Sequence, residues 1–110
     1  MLKLPYKRLV IKIGSNVLTQ EDGLPDFQRI KHLVAQISKI KKQAKEVIVV
    51  SSGAVATGRS LINVSEKFDA VAGRQLLASV GQVKLINTYS ALFEEQNYLC
   101  SQVLVTKEDF

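Results

Sequence analysis

Apolar residues along this chain fall into two kinds of run. Two runs are nearly continuous: Leu9 to Ile13 (Leu-Val-Ile-Lys-Ile) and Val47 to Val50 (Val-Ile-Val-Val). A strand with one face in water alternates apolar with polar residues, so uninterrupted runs of this kind predict strands buried on both faces, with a parallel sheet as the first choice. Between them Phe27, Ile30, Leu33, Val34, Ile37, Ile40 and Ala44 recur at helical spacing. They predict an amphipathic helix, capped by Asp26 and running to about Lys45. Strand, helix and strand form a βαβ unit, whose right-handed crossover sets the two strands parallel.

At Ser51 the composition switches to small polar residues and glycine, then to Ala54, Val55 and Ala56. The chain is expected to leave the sheet there and enter a short helix from about Ala54 to Leu61, with Asn63 to Lys67 as a connection. From Asp69 to about Gln96 the helical period returns in Val71, Leu76, Leu77, Val80, Val83, Ile86, Leu92 and Phe93, with Gly81 as a point where the helix can break. Ala72, Gly73, Ala78, Ser79 and Gly81 leave little side-chain bulk, which allows close approach by another element of the chain or by a second subunit. Val103, Leu104 and Val105 predict a last strand over Ser101 to Thr106. The expected fold class is α/β with a parallel sheet, in one domain covering 1–110.

Charge changes this picture little. The formal net charge is +5, and nearly all of it lies between Asp26 and Glu46, where six basic side chains face two acidic ones. Most of those lysines fall opposite the apolar arc, as on an ordinary solvated helix face, while Lys41 lies inside the arc, where its stem can pack and its amine reach outward. No aromatics are interleaved to stack on bases, so no nucleic-acid partner is expected. His32, the single histidine, falls on the polar side. The single cysteine, Cys100, reads as a small buried hydrophobe and offers no second thiol for a metal site, so no metal ligands are assigned. No apolar run approaches the roughly 20 residues that span a bilayer, and Met1 to Arg8 lacks the order of a secretory leader, so a cytoplasmic protein with no membrane partner is expected.

Candidate chemistry lies at the strand ends. Lys12 sits inside an apolar strand, where a charge is costly unless it is paired or reaches a ligand. Gly14, Ser15 and Asn16 follow it at once, which is a plausible phosphate cradle with its own cation; a strand-ending turn with a snorkelling lysine fits equally well. In a parallel pair this segment and Ser51 to Ala54 open on the same edge of the sheet, where α/β proteins bind ligands. Gly53 to Ser60 comes within one residue of the P-loop pattern, but Arg59 replaces the lysine and Ala54 to Ala56 look like helix interior.

Four blocks taken together carry a family likeness. Val10-Ile11-Lys12-Ile13-Gly14-Ser15, Val49-Val50-Ser51-Ser52-Gly53-Ala54-Val55-Ala56-Thr57-Gly58-Arg59, Arg74-Gln75-Leu76-Leu77-Ala78-Ser79-Val80-Gly81-Gln82 and Gln102-Val103-Leu104-Val105-Thr106-Lys107-Glu108-Asp109 resemble the amino-acid kinase family, in its order and spacing. The resemblance implies a parallel-rich αβα sandwich and ATP-dependent phosphorylation of the side-chain carboxylate of L-glutamate, the first step of proline biosynthesis, with Mg²⁺. By this likeness Lys12 contacts the transferred phosphate, Gly14 and Ser15 belong to the phosphate loop, and Ser52, Gly53 and Ala54 help to hold glutamate. Proline as a feedback inhibitor, with Val71 and Asp109 near its pocket, and a homo-oligomeric complete enzyme are implied as well. Another phosphotransferase of the same family, or a non-catalytic amino-acid-binding module, remains an alternative reading.

The likeness covers the N-terminal portion of such a kinase domain. The family's nucleotide-base site, catalytic aspartate and second active-site lysine belong to sequence that follows. Residues 1–110 by themselves are therefore expected to show no ATP-dependent turnover and to associate through an exposed sheet edge. Coupled detection of ADP with the purified 110-residue polypeptide checks the first point, and measurable turnover would overturn it.

Overall fold

A computed structural model describes residues 7–64, 68–105 and 108. Two strands, β1 (Arg8–Ile13) and β2 (Glu46–Ser51), pair in parallel, with Arg8 opposite Glu46 and Ile13 opposite Ser51. The connection between them carries α1 (Ser15–Leu18) and α2 (Phe27–Lys41). After β2 come α3 (Ala54–Arg59) and α4 (Ala70–Glu95). The mixed α/β class and the parallel pairing thus follow the apolar runs of the sequence.

Both longer helices begin at the aspartates that the sequence marks. Asp26 accepts a hydrogen bond from the Arg29 amide at 3.1 Å, and Asp69 accepts one from the Ala72 amide at 2.7 Å. Each cap satisfies a backbone donor that has no intrahelical partner and contributes about 1 kcal/mol. α2 stops at Lys41, short of the expected Lys45. The Lys41 ammonium folds back to donate to the Lys45 carbonyl at 3.1 Å, and the residues between form a turn. Its stem is half-buried, as its place inside the apolar arc suggests.

The core lies on one side of the sheet. Ile11 and Ile13 of β1 and Val47 and Val49 of β2 pack with Ile30, Val34 and Ile37 of α2, Leu85 and Tyr89 of α4, and Leu18 of α1. The expectation of strands buried on both faces is corrected here. Strand alternation sends Val10, Lys12, Ile48 and Val50 to the opposite face, where Val10 is 60% and Val50 51% exposed. Helices cover one face of the pair, so the continuous apolar runs record two apolar faces of which one is packed.

The last expected strand is also corrected. Residues 101–105 carry no strand, and Val103 and Leu104 are about four-fifths exposed (82% and 77%). A strand exists through its ladder of inter-strand hydrogen bonds, and among the described residues none is made to this segment. Thr106 lies outside the described residues. Cys100, read as buried, is half-buried on the irregular segment after α4, and that burial raises its thiol pKa.

Gly81 does not break α4, which continues through it for 26 residues. Its value is closeness: a Cβ on Gly81 would fall on the Ala54 carbonyl oxygen and the Gly58 amide nitrogen. Gly58 returns the contact, since a Cβ there would meet the backbone carbonyl of Leu77. Of the two uses the sequence allowed for this small-residue stretch, packing within the chain is the one observed at Gly81. In an ordinary helix Gly→Ala adds about 1 kcal/mol of stability. Here Gly81→Ala is expected to destabilise the protein by about 1 to 3 kcal/mol through overpacking, read as a lower midpoint in urea denaturation; a raised midpoint would show that the helices are free to separate.

Candidate functional site

The parallel register brings both strands to an end at the same edge. The Ser52 amide donates to the Ile13 carbonyl at 3.0 Å, which ties the segment leaving β2 to the last residue of β1. Gly53 then adopts φ +115°, a conformation that L side chains rarely adopt. A Cβ there would also press on Leu18 Cδ1 at 3.2 Å. This glycine turns the chain into α3, and its carbonyl accepts from both the amide and the hydroxyl of Thr57, at 3.0 and 2.7 Å. Thr57 is fully buried, so the first turn of α3 is pinned from inside.

α4 braces the same loop from below. The Ser51 hydroxyl donates to the Ser52 carbonyl at 2.8 Å, and the Tyr89 hydroxyl lies 2.7 Å from Ser51 Oγ. With the single Ser51 hydrogen committed to the carbonyl, Tyr89 is the donor of the second bond. Burial raises the Tyr89 pKa.

On the other side, Gly14 continues extended from β1 and caps α1, whose short turn is closed by the Val17 amide donating to the Gly14 carbonyl. The loop after α1 folds back through a bridge between Thr19 and Pro25, with Gly23 at φ +81° and the Leu24 amide held by Asp22. Between this loop and α3 lies a cleft of about 430 Å³. Ser15, Asn16, Thr19 and Gly23 form one wall, and Ser52, Gly53, Val55, Ala56 and Arg59 form the other. Arg74 of α4 completes it.

Of the residues singled out from sequence, Ser15, Ser52 and Gly53 line this cleft together, with Gly14 and Ala54 as the adjoining cap and first helical residue. Lys12 does not line it. Strand alternation points Lys12 away from the Ile13 side, while the residue itself counts among those around a separate apolar hollow of about 240 Å³ between β1 and α2. Val71 is exposed in the first turn of α4, and Asp109 lies outside the described residues. The P-loop reading finds no support, because Ala54 to Ala56 are helix and Gly58 is spent on the contact with α4.

Sequence reasoning passed over the cations of the cleft. Arg59 entered it as a misfit in a P-loop and Arg74 as one letter of a block. No periodicity marks either, since only the crossing of α3 and α4 brings them to one cavity. The cleft lining includes Arg59 and Arg74 and, among the described residues, no carboxylate. Among the described residues the ion pairs lie elsewhere, Arg8 with Glu46 at 2.7 Å and Arg29 with Asp26 at 3.9 Å. The Arg8 guanidinium lowers the Glu46 pKa at the opposite end of the sheet. Among these residues no group of three or more His, Cys, Asp or Glu side chains could hold a metal ion, and no helix is long and apolar enough to cross a membrane.

Two parallel strands that end beside one cleft, packed against helices, define an α/β fold. The chain belongs to the amino acid kinase family, which it matches over residues 7–110. It is 49% identical over 109 residues to the glutamate 5-kinase of Bacteroides thetaiotaomicron, an alignment covering 99% of this chain and 30% of that enzyme. Against the glutamate 5-kinase of Chlorobaculum tepidum the identity is 41% over 105 residues, covering 96% and 29%. For the Clostridium acetobutylicum enzyme of the same name it is 42% over 102 residues, covering 93% and 38%. The chain thus spans about a third of the length of these curated relatives.

The hydroxyl pair under the loop is directly testable. Tyr89→Phe removes one donor and is expected to cost about 0.5 to 1.5 kcal/mol of stability. Because the folded-state pKa of Tyr89 is raised, the unfolded chain ionises first. The contribution of the native phenol is therefore complete below about pH 10 and is lost as pH rises through the folded value. Thermal melts of wild type and Tyr89→Phe should converge above that pH; a constant gap would contradict it.

Proposed function

We propose that the protein carrying this chain is a phosphotransferase that uses ATP to phosphorylate the side-chain carboxylate of L-glutamate, giving glutamyl 5-phosphate at the first step of proline biosynthesis. The observation that carries this reading is the cleft at the joined strand ends, lined among the described residues by two arginines and no carboxylate, in a chain similar along its length to proteins named glutamate 5-kinase.

The chemistry asks for little from side chains. A carboxylate with a pKa of about 4.3 is already ionised at neutral pH, so no general base is needed. One of its oxygens attacks the γ-phosphorus in line, the bond from that phosphorus to the bridging oxygen breaks, and ADP leaves with the electron pair. Catalysis then consists of positioning and of neutralising charge on the transferred group. In this reading Ser52, Gly53 and Ala54 hold glutamate at the wall of the cleft where β2 passes into α3. Gly14 and Ser15 form the adjacent phosphate loop. Lys12, on its flexible stem at the end of β1, reaches the transferred phosphate, a charge-assisted contact of about 1.5 to 3 kcal/mol.

Mg²⁺ is not assigned to any side chain here, because the described residues offer no donor cluster for it; it would arrive on the phosphate oxygens of ATP. The same reading takes proline as a feedback inhibitor overlapping the glutamate pocket, a homo-oligomer as the working form, and the cytoplasm as its place. Family likeness supports these three points.

Hydroxylamine trapping of the acyl phosphate, on the native-length enzyme with ATP and Mg²⁺, is expected to give hydroxamate from glutamate and none from aspartate or N-acetylglutamate. Hydroxamate from another acceptor alone would reassign the substrate, and none from any acceptor would leave a binding module. Within that assay Ser52→Ala should raise the KM for glutamate more than that for ATP, and Lys12→Ala should depress kcat by at least about 100-fold, near the upper part of the charge-assisted range. Equal shifts in both KM values, or a kcat close to wild type, would remove the respective residue from its role.

A further inference from the structure

We propose that Arg59 and Arg74 form a carboxylate clamp at the far end of the cleft, which recognises the α-carboxylate of the amino-acid acceptor, the one that is not phosphorylated. This rests on the glutamate-phosphorylating reading above.

The two arginines come from different helices and are brought to one cavity by the glycine contact. Arg59 follows Gly58, whose Cα faces the Leu77 backbone, and Arg74 lies three residues before Leu77, on the same side of α4 one turn earlier. Both residues line the same cleft, and among the described residues no carboxylate pairs with either. An anion held between two guanidinium groups meets favourable charge from both. The planar fork of a guanidinium accepts a carboxylate through two parallel hydrogen bonds, which an ammonium cannot match.

Position selects which anion. The transferring end of the cleft is where Gly14, Ser15, Ser52 and Gly53 meet at the strand ends. Arg59 stands five residues along α3 from Ala54, about 7.5 Å farther at the helical rise of 1.5 Å per residue. A dicarboxylate with one acid group at the strand ends thus directs the other toward the arginines. Among the described residues no acid lines the cleft, so the clamp reads the carboxylate of the acceptor and not its amino group.

The test compares L-glutamate with its α-amide, which keeps the reacting γ-carboxylate and loses only the α-charge, using the native-length enzyme at saturating ATP. Wild type should favour glutamate in kcat/KM by about 10- to 100-fold, the range of a charge-assisted hydrogen bond. In Arg59→Ala and Arg74→Ala that preference should fall toward unity, with the ATP KM within about twofold of wild type. A role confined to folding would lower the melting temperature and leave the preference intact. Arg74→Gln, which keeps length and polarity, replaces the alanine variant if that one does not fold.

A preference retained in both variants would overturn the clamp, as would a selective rise in the ATP KM, which would give the arginines to the nucleotide phosphates. Should wild type make no hydroxamate from glutamate, the catalytic reading fails separately. Calorimetric binding of glutamate against its α-amide then decides the clamp alone: tighter binding of glutamate, abolished by the substitutions, supports it, and equal or absent binding overturns it.

Discussion

Everything that positions the cleft depends on one contact without side chains. Gly58 and Gly81 let α3 and α4 touch backbone to backbone, so close that a single methyl group on either has no room. The contact fixes the axis of α3 against a helix of 26 residues, and through it the direction in which α3 presents its first turn to the strand ends. Glycine inside a helix carries an entropic cost of roughly 0.5 to 1 kcal/mol relative to alanine. The close crossing and the burial of Thr57 and Leu77 around it offset that cost.

The loop at the end of β2 is held from three directions at once. β1 receives its Ser52 amide, α4 supplies the Tyr89 hydroxyl beneath Ser51, and α3 takes both Thr57 donors onto the Gly53 carbonyl. A loop restrained in this way loses little further freedom when a ligand arrives, which is how preorganisation serves both binding and reaction. Charge is arranged to match. The paired ions Arg8 and Glu46 close the end of the sheet where the strands begin, and Arg59 and Arg74, without an ion pair among the described residues, stand at the end where they finish.

Much of this architecture could be read from residue order. Apolar runs located both strands, the helical period located α2 and α4, and Asp26 and Asp69 sit where caps belong. Parallel pairing then required the Gly14 and Ser52 segments to meet. What escaped was whatever depends on a neighbour rather than on the chain itself. Val10, Ile48 and Val50 carry the same letters as packed residues, and only the coverage of the sheet decides which face is bare. The same holds for 101–105, whose β-branched residues prefer a sheet but find no ladder. Lys12 was placed at the correct end of its strand, yet its face follows from alternation relative to Ile13. Arg59 and Arg74 are separated by 15 positions, and a cavity shared between them is visible only once the glycine crossing is known.

Sequence separation gives the Ser51–Tyr89 hydrogen bond a temporal meaning. It spans 38 residues, the same distance that separates each β1 residue from its β2 partner. Two loop closures of equal length therefore meet at one point of the backbone, and each requires entropy to be lost before its contacts form. The first makes the sheet and the second braces the loop at its end. A chain that has paired its strands but not docked α4 has the fold's outline without the Tyr89 hydroxyl beneath Ser51, so the loop at the end of β2 is fully braced only when both closures are made.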